Sequence, residues 1–115
     1  MTTQAPGRTP GSFDALSFGL AREAVEERRF TEAVSSLEPL LERHPDDRAL
    51  RELLARAYFG AAMLAKAEAQ ARELVRRSPS DGYAHLLLSR SLERQSRHSE
   101  ARGHRVMAHV LGAGA

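Results

Sequence analysis

The segment 48–81, RALRELLARAYFGAAMLAKAEAQARELVRRSPSD, decides the fold, because the segments before and after it repeat its pattern at a distance of 34 residues. A fixed period of this length is typical of a solenoid, in which each unit buries its apolar face only against its neighbours. The positions that coincide in the three copies are Leu20, Leu54 and Leu88; Arg22, Arg56 and Arg90; Ala33, Ala67 and Ala101.

Within each copy the apolar residues recur every three or four positions, which predicts two helices per unit and six in all. The alternation that marks strands is absent, so the sequence predicts an all-α fold. The first helix is expected to end near Arg29, and the fourth to begin near Ala65. The side chains expected to face the core are Leu16, Leu20 and Ala24 in the first helix; Ala33, Val34, Leu37, Leu40 and Leu41 in the second; Leu50, Leu54, Ala57 and Tyr58 in the third; Ala67, Ala71, Leu74 and Val75 in the fourth; and Ala84, Leu87, Leu88 and Leu92 in the fifth.

Short polar residues mark where these helices begin, since their side chains accept hydrogen bonds from the first backbone N–H groups. Pro39 lies inside the second helix, where a local kink is expected. Residues 1–11 hold two Pro and two Gly with nothing apolar to bury, and we expect them to be a disordered leader to a single domain at 12–115. The expected cap residues are Ser12 or Asp14, Thr31, Asp46 or Asp47, Ser80 or Asp81, and Ser99.

These features resemble the tetratricopeptide repeat family, with three repeats at 14–47, 48–81 and 82–115. Each first helix carries Leu followed by a small residue, each second helix carries an Ala where two helices approach closely, and Pro45 and Pro79 end their units. The resemblance implies a right-handed solenoid of helical hairpins that binds other proteins. The chain departs from the family pattern where a small residue usually separates the paired helices, since it has Arg28, Ala62 and Ser96 there.

The third copy differs most from the other two, because polar residues replace apolar ones in its second helix. A terminal repeat needs a polar outer face, so we expect this helix to act as its own cap. The replacements are His98, Arg102, Arg105 and His109.

The resemblance also implies where a partner binds, since in this family the first helix of each pair lines the groove. Equivalent arginines on stacked helices form a ladder that can grip carboxylates or phosphates through paired hydrogen bonds. The alternative is that each arginine pairs on its own helix, Arg22 with Glu26, Arg56 with Glu52 and Arg90 with Glu93. The expected groove residues are Phe18, Arg22, Val25, Glu52, Leu53, Arg56, Phe59, Tyr83, Leu86, Leu87, Arg90 and Arg94.

The composition argues against a catalytic or metal-binding function. The chain has no Cys, its five His lack the spacing of a metal site, and its Ser residues lie outside any nucleophile or phosphate-loop motif. We therefore expect no catalysis, no cofactor and no metal, with the histidines exposed or capping helices. No apolar stretch reaches the length of a membrane helix and no signal peptide is evident, so we expect a cytoplasmic protein. Its 16 Arg against one Lys suggest a GC-rich bacterial source.

The sequence therefore predicts a module that binds a peptide or helix of a partner protein, acidic with apolar anchors, in its concave groove. A net charge of only +2 argues against a general nucleic-acid surface. Two alternatives remain. One is assembly with further copies of the same chain through the solenoid's ends. The other, less favoured, is nucleic-acid binding through the third copy, which has five Arg against two acidic residues.

Overall fold

The computed structural model describes residues 12–113, with the side chains of Ser12 and Phe13 left out, so the predicted leader at 1–11 lies outside the described residues. Six α-helices follow one another in this part of the chain, which contains no strand, as the hydrophobic pattern predicted. They are α1 (Ser12–Glu26), α2 (Phe30–Arg43), α3 (Arg48–Gly60), α4 (Leu64–Arg77), α5 (Gly82–Glu93) and α6 (His98–Val110).

Each helix packs against the one before it and the one after it, which makes a solenoid of three helical hairpins. Beyond these neighbours, the backbones of α1 and α3 lie close together, as do those of α3 and α5, whereas the backbones of α2, α4 and α6 do not approach one another within the described residues. Side-chain ion pairs such as Arg72 with Glu100 join these second helices instead. The first helices of the hairpins are therefore closer together than the second helices. It follows that α1, α3 and α5 line the concave side of the solenoid.

The core consists of the predicted Leu, Ala and Val positions with few exceptions. All the residues expected to face inward from α2, α3 and α5 are buried, including Tyr58, whose hydroxyl donates to Glu38 Oε2 at 2.5 Å. In α4, Val75 is only half-buried. In α1 the expected burial of Ala24 is confirmed, but that of Leu16 and Leu20 is wrong, because both are exposed while Ala21 and Val25 are buried.

A tight turn of the same form joins the two helices of every hairpin. In the second hairpin, Ala62 N–H donates to Phe59 O at 3.0 Å and Met63 N–H to Tyr58 O at 2.8 Å, the pattern of a Schellman helix end. Arg28, Ala62 and Ser96 occupy the equivalent position with φ of 63°, 61° and 62°. This left-handed conformation strains any residue with a Cβ and is adopted without cost only by glycine.

The structure decides between the expected helix caps. Asp47 caps α3 by accepting from Leu50 N–H at 3.0 Å, and Asp81 caps α5 by accepting from Tyr83 N–H at 3.1 Å. Thr31 and Ser99 were wrong as caps, because α2 and α6 already begin at Phe30 and His98. Their N-cap residues, Arg29 and Arg97, follow directly from the tight turns and make no side-chain cap hydrogen bond. The same turn ends α1 at Glu26, before the expected Arg29.

Candidate partner-binding groove

A cleft of about 600 Å³ opens on the concave side and collects side chains from all three hairpins. We call it the arginine cleft. Val25 and Leu87 form its apolar floor and are largely buried, while arginines and aromatic rings surround it. Its lining residues are Val25, Glu26, Arg28, Phe30, Arg56, Phe59, Gly60, Tyr83, Leu87, Arg90 and Arg94.

Two of the predicted ladder arginines, Arg56 and Arg90, line this cleft together. The third, Arg22, borders a separate cavity of about 410 Å³ between α1, α2 and the start of α3. Phe18 borders that second cavity as well, beside Asp14 and His44. The predicted groove residues that line a cavity are therefore distributed over two separate cavities.

The ion pairs along each helix that the alternative interpretation requires do not form within the described residues. Arg22, Arg56 and Arg90 have no carboxylate partner there, and Glu93 pairs with Arg105 instead of Arg90. Of the fifteen arginines in residues 12–113, seven lack an ion pair, and four of those seven line the arginine cleft. The eight paired arginines are Arg29, Arg43, Arg48, Arg72, Arg76, Arg77, Arg97 and Arg105.

Aromatic rings hold several of the unpaired guanidinium groups. Arg94 Cζ lies 5.2 Å from the centre of the Phe59 ring, and Arg28 Cζ lies 5.5 Å from the centre of the Phe30 ring. Arg22 makes the same contact with Phe18 at 5.2 Å in the second cavity. A guanidinium over a ring is attracted to its π face while its N–H edge remains available for a carboxylate.

Tyr83 brings a hydroxyl to the same cleft. Burial raises the pKa of Tyr83, Glu52 raises it further, and the positive charges of Arg56 and Arg90 oppose the rise. Tyr83 therefore stays protonated at neutral pH and offers an O–H donor beside two cations. A ligand with carboxylate oxygens and an apolar anchor matches this set of groups.

The remaining predicted groove residues are less accessible or lie outside the cavities. Leu53 belongs to the core with 3% of its surface exposed, so it offers a partner almost nothing. Glu52 and Leu86 are half-buried and line neither cavity. Sequence reasoning missed Glu26, Arg28, Phe30 and Gly60 as lining residues. The departure from the family pattern at Arg28 marked this turn, but did not indicate that the turn faces the cleft.

The sequence predicted histidines that are exposed or cap helices, and His85 does not fit this prediction. His85 is buried, its Nε2 lies 2.9 Å from Pro79 O, and its Nδ1 lies 3.1 Å from His104 Nδ1. His44 Nε2 lies 2.7 Å from Asp14 Oδ2. Burial lowers the pKa of His104, and the nearby His85 and Arg72 act in the same direction. In the described part of the chain, no group of three or more His, Cys, Asp or Glu is arranged to hold a metal ion.

Comparison with known proteins gives a family and a fold. The sequence profile described as tetratricopeptide repeat matches residues 24–91, more than half of the chain. A comparison with curated proteins finds no match. None of the helices described at 12–113 combines the length and hydrophobicity that a membrane crossing requires.

Solved structures of the protein MamA superimpose on this chain along most of its length. A point mutant of MamA is 23% identical with a TM-score of 0.82, over 90% of this chain and 76% of that protein. MamA of strain AMB-1 is 24% identical with a TM-score of 0.82, and the match covers 92% of this chain and 62% of that protein. MamA from Desulfovibrio magneticus RS-1, in a form that begins at its residue 41, is 24% identical with a TM-score of 0.79. This match covers 89% of this chain and 57% of that protein. These likenesses establish the solenoid fold.

Proposed function

Because the chain belongs to the tetratricopeptide repeat family, whose domains are protein–protein interaction modules, we propose that it binds an acidic segment of a partner protein in the arginine cleft, without catalysis. The observation that carries the proposal is the clustering of four arginines without carboxylate partners around Phe59 and Tyr83 in the described part of the chain. A carboxylate that enters between them gains charge-assisted hydrogen bonds, and an apolar side chain beside it can rest on the floor of the cleft.

The size and shape of the cleft favour a short segment as the ligand. A cavity of about 600 Å³ accommodates a few side chains, in the range of small-ligand pockets, and not a whole protein surface. One face of an amphipathic helix presents anchors of this kind at a spacing of three or four residues. We therefore expect one or two acidic side chains and one apolar side chain of the partner to enter the cleft.

The proposal is tested with two synthetic amphipathic peptides of equal length, one with Glu and one with Lys at all polar positions, both with the same Leu face. Fluorescence anisotropy should show binding of the Glu peptide alone. Arg56→Glu should weaken that binding by about tenfold to a hundredfold, since a charged hydrogen bond is lost and a repulsion added. Arg56→Lys should restore part of the affinity, because it keeps the charge but not the planar fork.

Arg102→Glu provides the matched control, since Arg102 is exposed on α6, has no ion pair within the described residues, and lies outside the cleft. It makes the same change of net charge as Arg56→Glu and should leave the affinity unchanged. Equal binding of the two peptides, or equal losses in the two variants, would contradict the proposal.

Nucleic-acid binding through the third repeat has less support. Arg97 and Arg105 are engaged by carboxylates, and Arg90 and Arg94 line the arginine cleft. A gel shift of single-stranded oligonucleotide at low salt, retained in Arg56→Glu, would favour it over a protein ligand.

A further inference from the structure

The two end helices of the solenoid each expose an apolar stripe. On α1, Leu16 and Leu20 are exposed over 60% and 56% of their surface. On α6, Val106 and Val110 are exposed over 55% and 70%, with Met107 beside them. In both helices the exposed residues lie three or four positions apart and so share one face, opposite the face that packs on the core. We call them the α1 stripe (Leu16, Gly19, Leu20, Glu23) and the α6 stripe (Gly103, Val106, Met107, Val110).

The α1 stripe is an uncovered copy of the joint between repeats. Leu20 is equivalent to Leu54 and Leu88, each of which is only 1% exposed because the second helix of the preceding hairpin covers it. Within the described residues, no helix precedes α1 to do the same. The face is therefore built to receive an antiparallel helix, as α3 receives α2 and α5 receives α4.

Each stripe contains a glycine that its own fold does not require. A Cβ placed at Gly19 or at Gly103 would meet no atom within 4 Å. Both glycines are exposed inside a helix, where Gly is less favourable than Ala. A missing side chain within an apolar stripe allows a second helix to approach closely. Such an approach would explain why glycine occupies both positions.

The charges beside the stripes indicate which helix occupies which. Glu23 and Glu26, both exposed, continue the surface of α1 beyond Leu20. Arg102, also exposed, flanks the stripe on α6. Pairing of two α1 stripes would bring carboxylates together, and pairing of two α6 stripes would bring cations together, whereas α1 against α6 joins opposite charges.

The spacings agree with an antiparallel contact of α1 with α6. When Leu16 is placed opposite Val110, the same register sets Leu20 opposite Val106. It also sets each glycine opposite a larger residue, Gly19 opposite Met107 and Gly103 opposite Glu23. The carboxylate of Glu23 then falls next to Arg102, so that an ion pair can close the contact. The arginine cleft takes no part in it.

We propose that the chain associates head to tail, with the α6 stripe of one copy seated on the α1 stripe of a second copy. This contact is heterologous, because it joins two different faces, so it continues into a ring or an open chain of subunits unless one face is blocked. The inference goes beyond the binding of a partner in the cleft and stands on separate residues.

The test uses two variants, each of which blocks one face with a charge like that of the face it should meet. Leu20→Arg blocks the α1 stripe and Val106→Glu blocks the α6 stripe. Both residues are exposed, so the folded monomer should survive, which circular dichroism checks. Ala69→Arg, at an exposed position on α4, serves as the control. Sedimentation velocity is measured over two orders of magnitude in concentration for each protein and for an equimolar mixture of the two blocked variants.

We expect the wild type and Ala69→Arg to grow in size with concentration. Each blocked variant alone should associate at least about tenfold more weakly, since one exposed aliphatic contact is replaced by a charge repulsion. Their mixture should associate again, because the intact α6 stripe of one variant fits the intact α1 stripe of the other, and the two introduced charges, opposite in sign, face each other at the remaining contact. Gly103→Gln should also weaken association while raising the melting temperature of the dilute monomer.

Three results would overturn the proposal. The first is a wild-type protein that stays monomeric at every concentration. The second is a Val106→Glu variant that assembles as the wild type does, which would indicate pairing of two α1 stripes. The third is a Leu20→Arg variant that assembles normally, which would indicate pairing of two α6 stripes. None of these results depends on whether peptides bind the arginine cleft.

Discussion

The left-handed residues in the hairpin turns allow a sharp prediction, and Ala62→Gly tests it best. Ala62 has φ of 61°, is exposed, and loses only a methyl group in this substitution. Arg28 is less suitable because its side chain also contacts Phe30. A left-handed residue with a Cβ costs about 1–2 kcal/mol, whereas glycine adds about 0.4–1 kcal/mol of unfolded-chain entropy. The difference leaves a gain of about 0.5–1 kcal/mol.

The assay is urea unfolding of dilute protein, followed by far-UV circular dichroism. In a thermal unfolding experiment on a chain of this length, the same gain of about 0.5–1 kcal/mol would raise the melting temperature by roughly 2–5 °C. The matched control is Ala69→Gly, the same chemical change at an exposed position inside α4. There the free energy of unfolding should fall by about 0.8–1 kcal/mol, because glycine is a poor helix former.

The contrast in sign is what makes this prediction decisive. If Ala62→Gly lowers the free energy of unfolding as Ala69→Gly does, Ala62 is not held in the left-handed region. In that case the tight turn described between the paired helices is wrong. Ser96→Gly should behave like Ala62→Gly, since Ser96 has φ of 62° in the third hairpin.

Two further predictions concern the packing and the titration of buried groups. Gly60→Ala should destabilise the fold by about 1–3 kcal/mol in urea unfolding, because the new Cβ would overlap ring atoms of Phe30. A stability equal to that of the wild type would contradict this packing. The free energy of unfolding should also fall as the pH drops below the ordinary histidine pKa of 6.5, because burial lowers the pKa of His104 and the unfolded chain binds that proton first. His104→Gln should flatten this dependence in unfolding experiments at several pH values, and an unchanged slope would show that another group causes it.

Much of the fold follows from the 34-residue period, because the same residues occupy equivalent places in stacked hairpins. The burial of Leu54 and Leu88 could be predicted in this way. The exposure of Leu20 could not be read from its residue type, since all three are Leu. It depends on whether another hairpin covers the helix, and the periodic pattern is identical in both cases.

In the groove, too, the repeat pattern predicts the position of some residues, whereas the position of others depends on how the helices pack. Arg56, Phe59 and Arg90 could be placed on the concave side from their position in the first helices. Arg28 and Phe30 join them only because a left-handed turn reverses the chain beside the cleft. His85 and His104 meet because α5 packs on α6, a contact between residues 19 positions apart that no local spacing announces.

Eight of the described arginines form ion pairs, and these pairs provide a comparison for the unpaired arginines of the cleft. Several of the pairs connect segments that are distant in the sequence. Arg43 joins the end of α2 to Asp14 in α1 at 2.7 Å, and Arg77 reaches back to Asp46, between the first two hairpins, at 3.0 Å. Exposed pairs of this kind each contribute only about 0–1 kcal/mol to stability.

A chain with 15 acidic residues has carboxylates enough to pair the arginines of the cleft as well. Arg56 and Arg90 nevertheless lie beside Tyr83 with no ion-pair partner among residues 12–113, and Arg94 is held over Phe59. Eight arginines elsewhere in residues 12–113 do form ion pairs, several of them with a carboxylate of another helix. The distribution of ion pairs, and not the net charge of +2, therefore supports the proposal that carboxylates of another molecule bind on the concave side.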